Sequence, residues 1–585
     1  MVHVTRTMIT FRFESFTLRN LKEGTDEPAA ERRTEDIKSL ESEPMILKAD
    51  ERVPVLIAGG SLVGLSASLF LTRLGVEHLL VEQHPETSEH PRGRGNNLRT
   101  MEIFRTAGVE QDIREAAFLL ADNHGILQVE TLTKGEDKWL VREVDPTGEH
   151  ARVSPASWCQ CSQNDLEPVL LRAARALGAD IRFGTQLVSF EQDADGVTAL
   201  IRSRHSGEER TVRADYLVAA DGPRSPVRER LGIGHTGAGD LFHSVSIAFE
   251  SGRLADAVGD RRFFCAYLTN EQGPGVLLPV DNERSWVLHA PLAVGLGETL
   301  EDFTDRRCAA AIRTATGVPD LEVKITGRAR WTAAERVAER FSDGRVFLAG
   351  DSAHEMSPTG AYGSNTGIQD AHNLVWKLAA VLGGWAGPGL LESYDLERRP
   401  VAAVTAARAA ARSAEHSHPG YDPRTGFKRQ PVTLAMVLGY RYRSNAVAGA
   451  PRDGLVVPQD FQPTAEPGSR APHMWLKRSG ARLSTLDLYE RTPVLLSGPD
   501  GRAWHEAGMQ VAGQGVPLAC YRVGHGAEYD LAPDDGSDWA PVHGTDSGGA
   551  VLVRPDGFVA WRAQTSGTNP ERELADVLDA VLSRR

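Results

Sequence analysis

Cysteine is scarce in this chain of 585 residues, and none of it forms a CxxC pair. The five cysteines are Cys159, Cys161, Cys265, Cys308 and Cys520. Their odd number, their wide spacing and the lack of a second Cys or His pair beside the CxC exclude a disulfide framework and a zinc site. We therefore predict free thiols and a reducing, cytoplasmic location.

Long apolar runs and basic stretches are missing as well. The longest apolar stretch, residues 62–74, is interrupted by Gly64 and Arg73 and is too short to span a bilayer. With 65 Lys and Arg against 79 Asp and Glu, the chain carries a net charge of −14 and no basic stripe, which argues against nucleic acid and anionic membranes as partners. The hydrophobic share of 41% is that of an ordinary globular protein with several domains.

The first residues differ from the rest in composition. Residues 21–44 mix charges with proline and hold few large apolar side chains, which predicts a disordered extension over residues 1–50. No apolar segment follows basic residues there, so the sequence shows no secretory signal. Two hypotheses stay open: translation starts naturally at Met45, or residues 1–44 are a genuine disordered tail.

A nucleotide-binding strand, turn and helix open the ordered part. Residues 53–58 predict a buried strand, 59–64 (GGSLVG) a glycine-rich turn into a helix, and 78–82 a second strand. Such a turn frees backbone N–H groups at a helix N-terminus, which suits a pyrophosphate. Glu82 ends the second strand, where a carboxylate can accept both ribose hydroxyls. We therefore predict dinucleotide binding, although Ser61 replaces the middle glycine of the G-x-G-x-x-G fingerprint.

Two later strands end in motifs that contain an aspartate. The first ends at Asp221-Gly222 within YLVAADGPRSPVR, and the second at Gly350-Asp351 within GRVFLAGDSAH. A glycine-rich loop and a helix, predicted over about 367–382, follow the second motif. In this order after a nucleotide turn, the motifs resemble those of the class A flavoprotein monooxygenases.

Further segments narrow the resemblance to the FAD-dependent aromatic hydroxylases, which act on phenols and aromatic polyketides. Four of them look like parts of those enzymes: HPR (90–92), RTMEI (99–103), NTGIQDA (365–371) and WKLA (376–379). Two more resemble the actinobacterial polyketide branch, in which a thioredoxin-like domain follows the flavin domain: PHMWL (472–476) and VRPDGFVAWR (553–562). The resemblance implies FAD as cofactor, NADPH or NADH as electron donor, O2 as co-substrate, and hydroxylation through a C4a-hydroperoxyflavin.

The resemblance also implies roles for individual residues. It puts Glu82 at the adenosine ribose, Asp351 at the ribityl chain, and the turn Asp221-Gly222 between FAD and the pyridine nucleotide. The other implied cofactor contacts are Gly59, Ser61, Leu62, Val63, Gly64, Arg92, Arg99, Gln163, Pro358, Gly363, Ser364, Asn365 and Thr366. No metal ligand is predicted.

One of these roles has a clear electrostatic reason. Reduction of FAD places negative charge on the pyrimidine edge of its ring. A helix that begins near Asn365 would aim its positive end and the N–H groups of Ser364, Asn365 and Thr366 at that edge.

The segment 236–335 alternates polar and apolar residues in four runs, at 244–249, 263–268, 275–280 and 285–290. We predict an antiparallel sheet that covers the flavin and binds a small aromatic substrate. The pocket candidates are Phe264, Tyr267, Trp286, Trp331 and Tyr362, with ordinary core packing as the alternative for each. We interpret His354 as structural, and His416 and His418 as loop residues without ligand spacing.

The predicted fold class is α/β, with a Rossmann-like FAD-binding domain interleaved with the antiparallel-sheet substrate domain. Residues 51–235 and 336–450 form the FAD-binding regions, 236–335 the substrate region, 451–470 a linker and 471–585 a thioredoxin-like domain. Because that last domain holds only Cys520 and no CxxC, it cannot perform dithiol chemistry. We predict a structural role for it, and a monomer or homodimer.

The leading functional hypothesis is an NAD(P)H-consuming hydroxylase of a phenolic or aromatic polyketide. A Baeyer–Villiger-type or antibiotic-inactivating monooxygenase on the same scaffold is the first alternative, and the structure of the product would discriminate. A protein that binds an aromatic ligand without catalysis is the second, and it predicts tight binding without NAD(P)H consumption.

Overall fold

Two large sheets and a smaller C-terminal sheet organise the part of the chain that the computed structural model describes, namely residues 49–90, 93–416, 418–421, 433–451, 453–534 and 536–584. The predicted extension therefore lies outside these residues except for its last two positions, and Arg92 lies outside them too. Within them, no helix is both long and apolar enough to cross a membrane.

The helices and strands have the following bounds in chain order. The helices are α1 Leu62–Arg73, α2 Leu98–Thr106, α3 Glu110–Ala116, α4 His150–Val153, α5 Gln163–Ala176, α6 Pro226–Arg230, α7 Leu254–Val258, α8 Asp305–Thr316, α9 Tyr362–Leu382, α10 Ser393–Glu415, α11 Thr433–Leu438, α12 Arg502–Gly513, α13 Trp539–His543 and α14 Pro570–Val581. The strands are β1 Glu51–Ala58, β2 His78–Glu82, β3 Gly95–Asn96, β4 Gly125–Val129, β5 Lys138–Val141, β6 Cys159–Gln160, β7 Asp180–Phe183, β8 Thr185–Gln192, β9 Val197–Ser203, β10 Glu209–Ala219, β11 His235–Glu250, β12 Phe263–Leu268, β13 Gly275–Pro279, β14 Ser285–Pro291, β15 Lys324–Ala338, β16 Ser342–Asp343, β17 Val346–Leu348, β18 His354–Glu355, β19 Trp475–Arg478, β20 Ala481–Ser484, β21 Val494–Ser497, β22 Ala519–Arg522, β23 Ala532–Pro533, β24 Ala550–Val553 and β25 Val559–Ala563.

The first sheet is the predicted nucleotide-binding sheet. Its parallel strands stand in the order β17-β10-β1-β2-β7, and β9 and β8 extend β10 on an antiparallel hairpin. Val55, Leu56 and Ile57 are fully buried, as the continuous apolar run of β1 requires for a strand covered on both faces. Since β1, β10 and β17 are parallel neighbours, their carboxyl ends bring the three sequence motifs to one edge of the sheet.

The second sheet has the order β18-β15-β11-β14-β13-β12-β4-β5 and departs from the prediction in two respects. It is not purely antiparallel, because β4 pairs with β12 in parallel. It also recruits strands from outside residues 236–335, namely β4 and β5 before that segment and β18 after it. Such pairings between distant segments leave no local pattern in the sequence.

The two faces of this second sheet differ in what covers them. The back face, which carries Trp286, Leu288 and Ala290 from β14, packs against α8 in one apolar core. The front face carries the alternate residues of the same strand, Val287 and His289. Trp286 is therefore a core residue of the back face and not part of the predicted pocket.

The C-terminal sheet has the order β22-β21-β24-β25, with β22 parallel and β24 antiparallel to the central β21. Together with α12 and α14 this is the βαβ-ββα arrangement of a thioredoxin-like fold. The turn between β24 and β25 leaves this domain and inserts its Asp556 beside α9 and α10.

Candidate functional site: a flavin edge facing an aromatic sheet

The glycine-rich turn after β1 fits closely against its neighbours. Gly59 has φ +103°, and a Cβ at this position would lie 2.2 Å from the Ala220 carbonyl oxygen. A Cβ at Gly64 would lie 1.9 Å from the Gly59 carbonyl oxygen. The Gly60 N–H donates to the Glu82 carboxylate at 2.6 Å, so the predicted ribose acceptor stands directly against the turn. This is the close approach that the fingerprint glycines exist to permit.

Ser61 does not cap α1, although it holds the N-cap position. Its hydroxyl donates to Glu167 at 2.6 Å and accepts from Gln163 Nε2 at 2.9 Å. The substitution of the middle glycine therefore fastens the turn to α5. No acceptor in the described part of the chain takes the N–H groups of Leu62 and Val63, which leaves them for an anionic ligand at the positive end of α1.

The Asp-Gly and Gly-Asp motifs are joined by side chains. Asp221 accepts hydrogen bonds from the Ser225 hydroxyl and the Val227 N–H, and burial raises the pKa of its carboxyl. Arg228 donates to the Ser352 carbonyl at 3.0 Å, and the Ser352 hydroxyl donates to the Ala219 carbonyl at 2.7 Å. Arg228 therefore joins the two motifs, a role that the sequence analysis missed although its motif was quoted.

The helix after the Gly-Asp motif begins earlier than predicted. α9 starts at Tyr362, five residues before Gly367, because a glycine-rich first turn is tolerated where tertiary packing holds the helix. The N–H groups without an intrahelical acceptor then belong to Tyr362, Gly363 and Ser364. Asn365 and Thr366 lie beyond them in the helix, which corrects the predicted helix start near Asn365. The N-cap, Ala361, adopts a left-handed conformation with φ +54°.

Asn365 instead fixes the segment that passes over this helix end. Its side-chain oxygen accepts from the Asn97 N–H at 2.9 Å, and its side-chain nitrogen donates to the Gly95 carbonyl at 2.7 Å. Asp351 is exposed at the carboxyl end of β17, and Pro358 is exposed in the loop that leads to α9. The predicted ribityl and pyrimidine contacts therefore surround the same helix end.

A buried ion network supports the helix from behind. Asp370 accepts from His354 Nε2 at 2.6 Å, from Arg398 Nε at 2.7 Å and from the Gly350 N–H at 3.2 Å. Burial opposes the charged carboxylate, but Arg398 and His354 outweigh it and lower the pKa of Asp370. His354 is thus a structural histidine that helps to fix the Gly-Asp turn.

The front face of the second sheet collects most of the predicted pocket aromatics. Tyr267 and Trp331 lie on it, and Phe264 packs at its margin. The Tyr267 hydroxyl lies 3.4 Å from His416 Nδ1 in the segment after α10, and the Thr359 hydroxyl, in the loop before α9, accepts from Ser413 of α10 at 2.8 Å. Tyr362 lies apart, packed between α9, α10 and α11, with Arg412 3.5 Å from its hydroxyl.

Comparison with known proteins identifies this arrangement. An FAD-binding-domain family model matches residues 52–409, and an aromatic-ring hydroxylase C-terminal model matches residues 464–584. The chain belongs to the FAD-dependent aromatic-ring hydroxylases. It is 64% identical to a Streptomyces halstedii protein named as a candidate polyketide hydroxylase, over 91% of this chain and 97% of that one. It is 41% identical to tetracenomycin A2 monooxygenase-dioxygenase of Streptomyces glaucescens, over 91% and 97%.

A solved structure of the same family agrees with the fold. Aklavinone-11 hydroxylase, determined with FAD and aklavinone, superposes with a TM-score of 0.82 at 38% identity, covering 92% of this chain and all of that one. The match supports the flavin-binding fold of this hydroxylase. The residues of the present chain fit FAD. The Glu82 carboxylate provides hydrogen-bond acceptors, and the glycine turn and the uncapped N-termini of α1 and α9 provide N–H donors.

Arg99 is the predicted cofactor contact that the structure places elsewhere. Its guanidinium donates to Glu102 and to the Asp556 carbonyl, and it lies 5.5 Å from the centre of the Phe558 ring. In this hydroxylase Arg99 therefore links α2 to the C-terminal domain. Arg99 belongs to α2, a short helix that faces two domains. The spacing of residues in the sequence does not show which of these domains its side chain contacts.

Several aromatic rings on the front face were missed in the sequence. Phe242 stands 5.5 Å from Trp331 and 4.3 Å from His418, and Tyr267 stands 5.6 Å from both His416 and His418. The two histidines belong to the segment after α10, where no periodic pattern indicates which wall the chain approaches. Phe242 was detectable, because it precedes Ser244 by two positions on the same strand.

Proposed function

We propose that this hydroxylase inserts one atom of O2 into a phenolic ring of an aromatic polyketide and takes its electrons from NADPH or NADH. The observation that supports this most directly is the junction of the two halves of the site. Strand β18 follows the Gly-Asp motif directly and pairs with β15 of the second sheet, so this sheet adjoins the loop and helix end that fit the flavin. Bound FAD would supply the electron transfer and oxygen activation.

The chain itself contributes charge stabilisation and positioning. The uncapped N-terminus of α9 directs a positive end and free N–H groups at the place where reduction would leave negative charge. The Asp370–Arg398–His354 network holds this helix end and the Gly-Asp turn in one arrangement. These residues act through the geometry of the cofactor site.

The front face contributes the substrate side. Its residues are mostly aromatic or apolar, and burial raises the pKa of the Tyr267 hydroxyl, so this hydroxyl stays neutral; the buried Arg94 guanidinium is a cation close to Cys265 on this face. A largely aromatic and apolar wall binds planar rings and keeps water from the reacting position.

The test is turnover by the purified holoenzyme. We expect a yellow protein with an FAD spectrum that oxidises NADPH or NADH faster when a phenolic polycycle is added. The product should gain one oxygen as a ring hydroxyl under an 18O2 atmosphere. A lactone product would favour Baeyer–Villiger chemistry, and binding without NAD(P)H oxidation would favour a non-catalytic protein; either result would overturn the proposal.

A further inference from the structure

His289 occupies the centre of the front face and has no hydrogen-bond partner among the residues that the structure describes. Its strand neighbours in register are Ser246 on β11 and Val276 on β13. Among the described residues, no hydrogen-bond partner reaches either ring nitrogen, and its one ring contact is Trp331 at 5.6 Å. The imidazole is only half-buried, so its two ring nitrogens are available to hydrogen-bond a ligand.

A polar strip surrounds this imidazole. His90 Nε2 lies 2.9 Å from the Ser246 hydroxyl, which is buried beside His289. Trp331, Phe242 and His418 continue the same side of the face as a row of rings 4.3 to 5.6 Å apart. This side offers flat surfaces together with hydrogen-bonding atoms.

The other half of the front face is apolar and made of small residues. Ala248, Cys265, Val276, Leu278 and Val287 form one buried cluster there. Apart from the Cys265 thiol and the hydroxyl of Tyr267, which belongs to the same cluster, these side chains offer no hydrogen-bonding group. The face is thus divided into a polar side around His289 and a mostly apolar side.

We propose that His289 is a specificity-determining residue that hydrogen-bonds the oxygen-bearing edge of a planar, fused polycyclic substrate, a hydroxyquinone or polycyclic phenol. The opposite, unsubstituted edge lies on the apolar half. This inference rests on the proposed function and refines it. It specifies that the edge of the substrate next to His289 carries oxygen and that a hydrogen bond to His289 recognises this edge.

The electrostatics of the face make His289 a hydrogen-bonding group rather than a base. Burial first, and then the nearby His418, Arg94 and His90, lower the pKa of its imidazole to about 3. A group that holds a proton so weakly is a poor acceptor for a phenolic proton. Neutral imidazole, however, donates from one nitrogen and accepts at the other, which matches a hydroxyl beside a quinone carbonyl.

The test compares two planar probes on the FAD-loaded enzyme. Alizarin is a hydroxyanthraquinone, and anthracene has the same three-ring skeleton without oxygen. Binding is followed by the change in flavin absorbance for the wild type, His289→Phe, His289→Leu and His289→Asn. Trp286→Phe, on the back face of the same strand, is the matched control, and the flavin content of every variant is measured first.

The expected result is a change in selectivity. His289→Phe and His289→Leu should weaken alizarin binding about tenfold, the value of one lost hydrogen bond, and leave anthracene binding unchanged. His289→Asn should restore most of the alizarin affinity, and Trp286→Phe should behave as wild type. A merely structural role would weaken both probes equally.

Two outcomes would overturn the inference, and they are distinguishable. If the wild type fails to prefer alizarin over anthracene, or if the apolar variants keep that preference, His289 does not read the substrate edge. The proposed function then still stands if the same preparation hydroxylates a phenolic substrate, and falls separately if it does not.

Discussion

The turn after β24 and the front face of the second sheet both bury polar side chains, but they satisfy them differently. Arg554 hydrogen-bonds Glu397 and Asp556 through all three guanidinium nitrogens, and Glu397 also accepts from Lys377 and Ser444. On the front face, His289 has no partner within the described chain. The satisfied groups of the first region hold the architecture, whereas the imidazole of His289 offers hydrogen-bonding atoms to a ligand.

The buried charges around the turn after β24 stabilise one another. Burial opposes ionisation of Glu397, but Arg554 and Lys377 outweigh it and hold the pKa of this carboxyl well below its usual range. Because Arg554 and Asp556 belong to the thioredoxin-like domain and Glu397 to α10, the network fastens that domain to the flavin domain. The structural role of this thioredoxin-like domain, which has no CxxC pair, stays a prediction.

The largest expected effect comes from breaking the satisfied region. Arg554→Met should lower the free energy of unfolding by about 3–5 kcal/mol, because Glu397 and Asp556 remain buried without the guanidinium that pairs with both of them. Urea and thermal unfolding would measure it. Arg182→Met is the control. It removes a partly exposed ion pair with Glu51 and should lower the free energy of unfolding by under about 1 kcal/mol. Equal losses in the two variants would contradict the comparison.

The sequence predicted the flavin side of this molecule better than the substrate side, for a physical reason. The turn at Gly59, the Asp221 motif and the Gly350 motif are backbone constraints encoded in contiguous residues, so their spacing could be read directly. Side chains along β14 alternate between the two faces of the sheet, so Trp286 and His289 lie on opposite faces. The period of two does not show which face belongs to the core until the position of α8 is known.

Ion networks and loop contacts were harder still to anticipate. The bonds between Arg554 and Glu397 join positions 157 residues apart in the chain, a distance over which neither periodicity nor a motif carries information. His418 reaches the front face through a segment without regular structure. The cofactor contacts and domain boundaries inferred from the resemblance stay predictions, apart from the helix start and Arg99, which the structure places differently.

The second prediction concerns acid and the front face. Burial lowers the pKa of His418 to about 4, below the ordinary value near 6.5. The unfolded chain therefore binds the proton first, so this residue makes stability fall as pH drops from 6.5 to 4, by up to about 1.4 kcal/mol per pH unit. His418→Phe should flatten that slope in unfolding measurements, with His205→Phe in an exposed turn as control. An unchanged slope in His418→Phe would show that the imidazole is not held neutral.

A smaller change in stability is expected when His289, which has no hydrogen-bond partner among the described residues, is replaced by an apolar side chain. His289→Phe should change the free energy of unfolding by less than about 0.5 kcal/mol, because it replaces an unpartnered imidazole and leaves no other group unsatisfied. Thermal unfolding of His289→Phe and Arg554→Met, measured in parallel, compares how much each region contributes to stability. A loss as large as that of Arg554→Met would mean that His289 has an architectural partner after all.

The one stabilising effect tests the flavin end of α9, where the backbone of Ala361 is strained. Ala361 sits at φ +54°, a conformation that costs an L-residue about 1–2 kcal/mol and glycine nothing. Ala361→Gly should therefore raise stability by up to about 1 kcal/mol after the greater backbone entropy of glycine is subtracted. Ala379→Gly, inside the same helix, should instead lower stability by about 1 kcal/mol. Thermal unfolding measures both, and a loss in both variants would show that the Ala361 methyl group contributes more by packing than its backbone costs in strain.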